Sequence, residues 1–154
     1  MKIVDFNKKL DQMIPDARCE LNYNRDYELV IATVLSAQCT DKRVNEVTQV
    51  LFSNYDIYGL AKADKKDIER IIRSCGSYTK KAGYIIEIAK SLIDNYNGVV
   101  PNDREYLESL PGVGRKTANV VISNLFNEPA IAVDTHVDRV SKRLGLAKPH
   151  DNVL

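Results

Sequence analysis

Apolar residues recur at spacings of three and four along most of this chain, which is the helical period. A first helix is expected over roughly Phe6 to Ile14. Behind Asp26, a good N-cap residue, Leu29, Val30, Thr33, Val34 and Ala37 fall on one face. Behind Asp41, a second candidate cap, Val44, Val47, Thr48 and Leu51 do the same. Asp64 opens a helix carrying Ile68, Ile71, Ile72 and Cys75 that stops at Gly76. Ala82, Ile85, Ile86, Ala89, Ile93 and Tyr96 mark a longer helix ending near Gly98. Asn102 with Glu105 three residues later has the pattern of a capping box ahead of Tyr106, Leu107 and Leu110. Ala118, Val121, Ile122 and Leu125 give one apolar face to a helix from Arg115 to Leu125. Val137, Val140, Ser141 and Leu144 share a face in the last helix. Val99-Val100 is too short for a strand, so the pattern predicts an all-α fold.

Between two of these helices stands Leu110-Pro-Gly-Val-Gly-Arg-Lys-Thr-Ala-Asn-Val-Val121. Pro111 disfavours helical geometry at the residue before it and ends the preceding helix at Leu110. Gly112 and Gly114 permit positive φ and leave backbone N–H groups unshielded at the mouth of the next helix. There the helix dipole favours an anion, and a DNA phosphate fits such a site without any base contact. A lone Pro-Gly-x-Gly is as readily a plain interhelical turn. Lys116 stands in the opening turn. An ordinary lysine is protonated at neutral pH, and most lysines are solvated surface residues. The positive helix end, adjacent Arg115 and partial burial would all favour the neutral amine that a nucleophile requires.

Two further strings stand out. Val133-Asp-Thr-His-Val-Asp-Arg-Val140 follows the apolar run Pro129 to Val133 and places Asp134 as an N-cap, with Thr135 and His136 opening the helix. Taken alone, such an aspartate is a cap worth about 1 kcal/mol. Leu35-Ser-Ala-Gln-Cys-Thr-Asp41 joins two helices and puts Gln38 at their corner, where a polar residue is ordinarily just solvated.

Together the three strings resemble the endonuclease III family of helix-hairpin-helix DNA glycosylases, and the resemblance covers essentially the whole chain. It implies that fold: a six-helix lobe over 21–130, with the helix-hairpin-helix near 103–126. The segment 1–20 would be the N-terminal helix of a second lobe, and 131–154 its incomplete start. By resemblance, Lys116 attacks the sugar C1′, expels the damaged base and forms a Schiff base. Related adenine-mismatch glycosylases carry a hydroxyl residue there, so a lysine points to the branch that also nicks the strand. Asp134 would assist the nucleophile and stabilise positive charge on the sugar. Gln38 would fill the gap left by a flipped nucleotide, offsetting part of the few kcal/mol that flipping costs. DNA contacts are further implied for Gly112, Val113, Gly114, Arg115, Thr117 and His136. One departure concerns Cys75-Gly-Ser-Tyr78, where some members present an apolar wedge. Ser77 cannot wedge, leaving Tyr78 to stack or the loop simply to turn.

The resemblance breaks off at the C-terminus, where Asp151 reads as a cap with little chain after it. Most of that family continues through several helices to four cysteines that hold a [4Fe-4S] cluster. Those ligands are absent from these 154 residues, so no cofactor is expected on this chain, and apolar surface is expected to be exposed on the second lobe. The cysteines present, Cys19, Cys39 and Cys75, are too few and too far apart for a local metal site. Neither His136 nor His150 adds a ligand cluster.

Net charge is only +1 and argues nothing about DNA. Its distribution says more. Residues 112–150 hold six Lys/Arg (Arg115, Lys116, Arg139, Lys142, Arg143, Lys148) against three acids (Glu128, Asp134, Asp138). Residues 62–81 hold seven against three, and both stretches flank the strings above. An apolar share of 44% suffices for a packed core. No apolar run approaches the ~18 residues of a membrane helix, and Met1 to Lys9 has no signal-peptide character. The expectation is a cytoplasmic, nucleoid-associated monomer of bacterial or archaeal type acting on damaged duplex DNA. Its activity would be base removal with strand nicking 3′ to the abasic site by β-elimination, chiefly at oxidised pyrimidines. The alternative is a catalytically impaired helix-hairpin-helix module that only binds DNA.

Overall fold

The computed structural model describes residues 3–152. Their regular structure is helical throughout: α1 (Ile3–Met13), α2 (Asp26–Leu35), α3 (Asp41–Asn54), α4 (Ile57–Lys62), α5 (Lys65–Ile71), α6 (Tyr78–Tyr96), α7 (Arg104–Ser109), α8 (Arg115–Phe126) and α9 (Thr135–Arg143). The chain divides into two compact units. One spans Glu20–Ile131 and contains α2 to α8; the other joins the segment up to Cys19 with the segment from Ala132 onward.

The larger unit is built around α2. Every residue from Tyr27 to Leu35 is buried, so this helix is covered on all sides rather than on the single face its spacing suggests. It packs against α3, α6 and α8, while α6 also carries α4 and α5. The α3 face is as expected, with Val44, Val47, Thr48 and Leu51 buried. On α6 the inward stripe is Ala82, Ile85, Ile88, Ala89 and Leu92. Ile86 and Ile93, expected inside, are only half-buried, and the buried stripe runs through Lys81 instead. Helix α4, capped by Asp56 through Gly59 N–H at 2.7 Å, adds a short seventh helix to the six expected. It buries Ile57 and Leu60.

Three of the expected caps are displaced by one residue. Asp26 opens α2 but does not cap it. Glu28 takes the Asn24 and Arg25 N–H groups at 2.7 and 3.3 Å. Asp26 meanwhile accepts from Val100 N–H at 2.7 Å, tying α2 to the chain beyond α6. Thr40, not Asp41, caps α3 through Arg43 N–H. Asp103, not Asn102, caps α7 through Tyr106 N–H, and Asn102 instead donates to Glu128 at 2.6 Å. Helix α5 ends at Ile71, short of Gly76. Ile72 and Cys75 stay buried while the chain turns.

In the smaller unit α1 runs from Ile3 to Met13, and neither α1 nor α9 has a buried residue. Asp151 accepts from Lys148 N–H at 2.7 Å within a turn. Val153 and Leu154, which would open a helix after it, lie outside the described residues.

Candidate nucleic-acid interface

The glycine turn is clamped into place by its neighbours. Gly112 has φ +74, and a Cβ there would lie 2.7 Å from Tyr84 Cδ2 on α6 and 3.2 Å from Val34 Cγ1 on α2. Both conformation and space therefore require glycine. Val113 turns inward: its side chain is buried, and its N–H donates to Leu110 C=O at 3.1 Å. This N–H therefore closes the turn. Gly114 is the N-cap of α8. It supplies no capping side chain, and a Cβ would meet nothing within 4 Å. The anion-receptive part of the turn is thus the open helix end from Gly114 through Arg115, with Thr117 half-buried behind it.

Lys116 is exposed on the first turn of α8, not partly buried as expected. Arg115 leans toward Glu108 of α7, its Nε 3.8 Å from Oε1, which is too long for a hydrogen bond. Farther along α8, Asn119 accepts from Arg104 and donates to Ile131 C=O at 2.9 Å. That chain of bonds ties the exit of the larger unit to the helix that carries Lys116.

Gln38 stands three residues past the end of α2, exposed, with φ +57. Ala37 is exposed beside it rather than on the α2 face. Ser77 is a second non-glycine residue in the left-handed region, with φ +56, also exposed, and Tyr78 begins α6 half-buried. Such conformations cost about 1–3 kcal/mol each and gather at functional sites. Here they abut. A Cβ on Gly76 would lie 3.5 Å from Gln38 C=O. The Cys39 and Cys75 sulfurs are 3.6 Å apart. Val34 is four residues before Gln38 and Tyr84 seven after Ser77, about one and two helical turns. The same two helix ends therefore seat the glycine turn and display both tips.

One residue here escaped the sequence reading. Lys81 is buried at 5% exposure, and its ammonium donates to Leu35 C=O at 3.0 Å and Ala37 C=O at 2.6 Å. A signal was present: Lys81, Ile85, Ile88 and Leu92 follow the 4-3-4 spacing of a buried stripe. The basic stretch 62–81 accordingly offers less outward charge than its count. Lys81 faces in, and Arg70 and Lys65 pair with Asp67 and Glu69 on their own helix.

In the smaller unit Asp134 caps α9, one carboxylate oxygen accepting from His136 and Val137 N–H at 2.9 Å each. His136 is exposed, its Nδ1 3.8 Å from the other oxygen. Asp138 pairs with Lys142 at 2.9 Å and is engaged along its own helix. No group of three or more His, Cys, Asp or Glu among the described residues is placed to hold a metal. With three cysteines in the sequence, and only Cys39 and Cys75 in mutual contact, the residues present do not fit a four-thiolate cluster. No helix among the described residues is long and apolar enough to cross a membrane.

Comparison with known proteins bears on these strings directly. Residues 31–153 match the HhH-GPD superfamily base excision DNA repair protein family. Endonuclease III of Bacillus subtilis (strain 168) is 50% identical over 147 residues, which are 95% of this chain and 67% of that protein. The chain thus spans about two thirds of the length of that relative. A solved non-covalent endonuclease III–DNA complex superposes with a TM-score of 0.90 at 52% identity, over 98% of this chain and 71% of that one. A trapped endonuclease III–DNA covalent intermediate superposes with a TM-score of 0.89 at 50% identity, over 99% and 74%.

Proposed function

The chain belongs to the HhH-GPD superfamily of base excision DNA repair proteins, and from that premise we propose that it removes oxidised pyrimidines from duplex DNA and nicks the strand at the resulting abasic site. It is a DNA glycosylase and abasic-site lyase of the endonuclease III kind. The observation that carries the reading is the α8 terminus. There a glycine turn held by Tyr84 and Val34 leaves an open anion site in the same helical turn as a lysine. The relatives' complexes with DNA are consistent with it.

Each group has a distinct task in this reading. The Gly114–Arg115 helix end grips a backbone phosphate and sets the register without reading sequence. Gln38 occupies the space vacated by the flipped nucleotide. His136 lies toward the DNA backbone. Lys116 Nζ bonds to C1′ as the glycosidic bond breaks, and the bonding pair leaves with the base. The sugar ring opens to an iminium. Loss of a C2′ proton then expels the 3′-phosphate, and water releases the lysine. Asp134 stabilises positive charge on the sugar while the base departs. No step needs a metal or diffusible cofactor. We place the enzyme, as a monomer, in the compartment that holds the DNA.

Borohydride reduction on a duplex with one abasic site tests the assignment. The iminium should be reduced to a stable covalent adduct, and Lys116→Gln should lose that adduct while keeping most of its DNA affinity. Trapping at the original rate by the substituted protein removes Lys116 from the role. A mobility shift without any adduct from the unsubstituted chain would return it to a binding module.

A further inference from the structure

We propose that Lys81 is a positioning residue for the Gln38 loop: a buried ammonium that fixes the end of α2 so that Gln38 is held out in its left-handed conformation, ready to fill a vacated nucleotide position. The proposal rests on the role given to Gln38 above.

A buried ammonium is costly unless its donors are satisfied. Lys81 is 5% exposed, and no carboxylate among the described residues forms an ion pair with it. What holds it is the end of α2 and the turn that follows. Leu35 offers a carbonyl that a helix end leaves without an intrahelical partner and that carries the negative end of the dipole, and Ala37 offers one from the turn beyond the Ser36 C-cap. Lys81 Nζ meets both, at 3.0 and 2.6 Å. Gln38 is the next residue, and its φ of +57 is disfavoured for a side chain with a Cβ. Such a conformation persists only where the surroundings over-determine it. Lys81 supplies that constraint on one side, because the carbonyl it holds belongs to the peptide unit that leads into Gln38.

The same residue reaches the second tip. Its own backbone N–H donates to Ser77 C=O at 3.0 Å, and Ser77 has φ +56. Lys81 is therefore bonded by its side chain to the peptide unit that leads into one left-handed tip and, through the first backbone bond of α6, by its main chain to the other. Gly76 and the Cys39–Cys75 contact close the space between them. A cation needed only to stabilise the core would have no reason to end on the carbonyl that leads directly into the exposed glutamine.

A double-substitution cycle tests this, using duplex DNA with a tetrahydrofuran abasic analogue opposite 2-aminopurine. The unsubstituted protein, Q38A, K81M and the double variant are compared. Binding is measured to this DNA and to undamaged duplex, and 2-aminopurine fluorescence is read in the complexes. Q38A should weaken abasic-site binding by roughly tenfold, a plug offsetting part of the cost of flipping. K81M should weaken it by at least about fivefold, leave undamaged-duplex binding unchanged and shift the fluorescence toward that of Q38A. In the Q38A background K81M should add little, since the residue it positions is gone. An equal K81M effect with and without Q38A overturns the proposal and makes Lys81 a plain structural residue. A weakened Q38A beside an unaffected K81M overturns it too, leaving the plug intact. An unaffected Q38A removes the plug and this proposal with it. Should K81M not fold, the same cycle with K81R decides by the same criterion, because arginine keeps the charge and donors in a different geometry.

Discussion

Every buried apolar side chain among the described residues lies between Leu21 and Ile122, inside the Glu20–Ile131 unit, whereas α1 and α9 in the other unit bury none. On α9, Val137, Val140 and Leu144 share a face yet are 37–48% exposed. The glycine turn, the two left-handed tips and Lys81 all stand on the packed unit. Asp134 stands on a helix secured at its start by its own cap bonds. Elements with few buried apolar contacts open at lower free energy than core elements. The grip on DNA is thus built into the stable part of the chain, and the proposed charge stabiliser into the part with least packing.

The largest test of that contrast is a pair of truncations. Leu29 is fully buried at the centre of α2, and Leu29→Ala should cost about 2–5 kcal/mol of unfolding free energy. Val140→Ala, at a site 48% exposed, should stay within about 0.5 kcal/mol. Urea melts of both variants decide; comparable losses would mean that α9 is packed as firmly as α2.

Thiol chemistry reports the same difference. Burial, reinforced by the neighbouring Cys39 thiol and opposed by Lys81 and Arg43, pushes the Cys75 thiol up to about 11. Near pH 8 its thiolate should be roughly a hundredfold scarcer than that of an ordinary thiol, so it should be alkylated about that much more slowly than in the urea-unfolded chain. Cys19, half-exposed in the smaller unit, should react first. The acid is weaker in the folded state, so its contribution to stability is complete below pH 9 and is lost as pH rises toward 11. Iodoacetamide labelling read by peptide mass gives the order; equal rates at Cys19 and Cys75 would contradict it.

Within the packed unit two glycines of one turn should answer differently. Gly112→Ala meets Tyr84 at 2.7 Å with φ +74 and should destabilise by roughly 1–3 kcal/mol. Gly114→Ala has open space around it and should leave stability within about 0.5 kcal/mol. Thermal melts separate them, and equal shifts would show that the clamp by Tyr84 and Val34 is not what fixes the turn.

Much of this was legible in the chain. The buried face of α3 follows directly from helical spacing, that of α8 does so except at Leu125, which is half-buried, and the Gly112 turn follows from its two glycines. What escaped was decided by which of several neighbouring groups takes a bond, and in part by partners distant in sequence. Asp26 gave up its cap because Glu28 was better placed, and turned to Val100, 74 residues away. The buried stripe of α6 includes Lys81, whose ammonium reaches Leu35, 46 residues away. The Val113 N–H is taken by Leu110 C=O, three residues back, which spacing alone did not show. Spacing identifies a helix and its general face. It does not say which of two adjacent polar residues takes a bond that only the folded chain offers.

Asp134→Asn asks whether the sparsely packed unit contributes chemistry or only a helix start. Asparagine is as good an N-cap as aspartate and keeps an oxygen to accept from the His136 and Val137 N–H groups. Helix α9 should therefore keep its stability to within about 0.5 kcal/mol. What the substitution removes is a negative charge. A preorganised charge facing a developing cation typically contributes roughly 10²- to 10³-fold in rate. Asp134 is half-buried, so solvent screening should erode that figure toward its low end and below, to about tenfold. The variant should fold normally, bind an abasic duplex normally and remove a damaged base at least about tenfold more slowly in single-turnover assays. Asparagine also leaves the His136 ring without a nearby carboxylate, so His136→Ala is the control: a loss of DNA affinity without a slower chemical step separates the two residues. Near-normal turnover by a well-folded Asp134→Asn protein would reduce this aspartate to a helix cap and leave the chemistry to the larger unit.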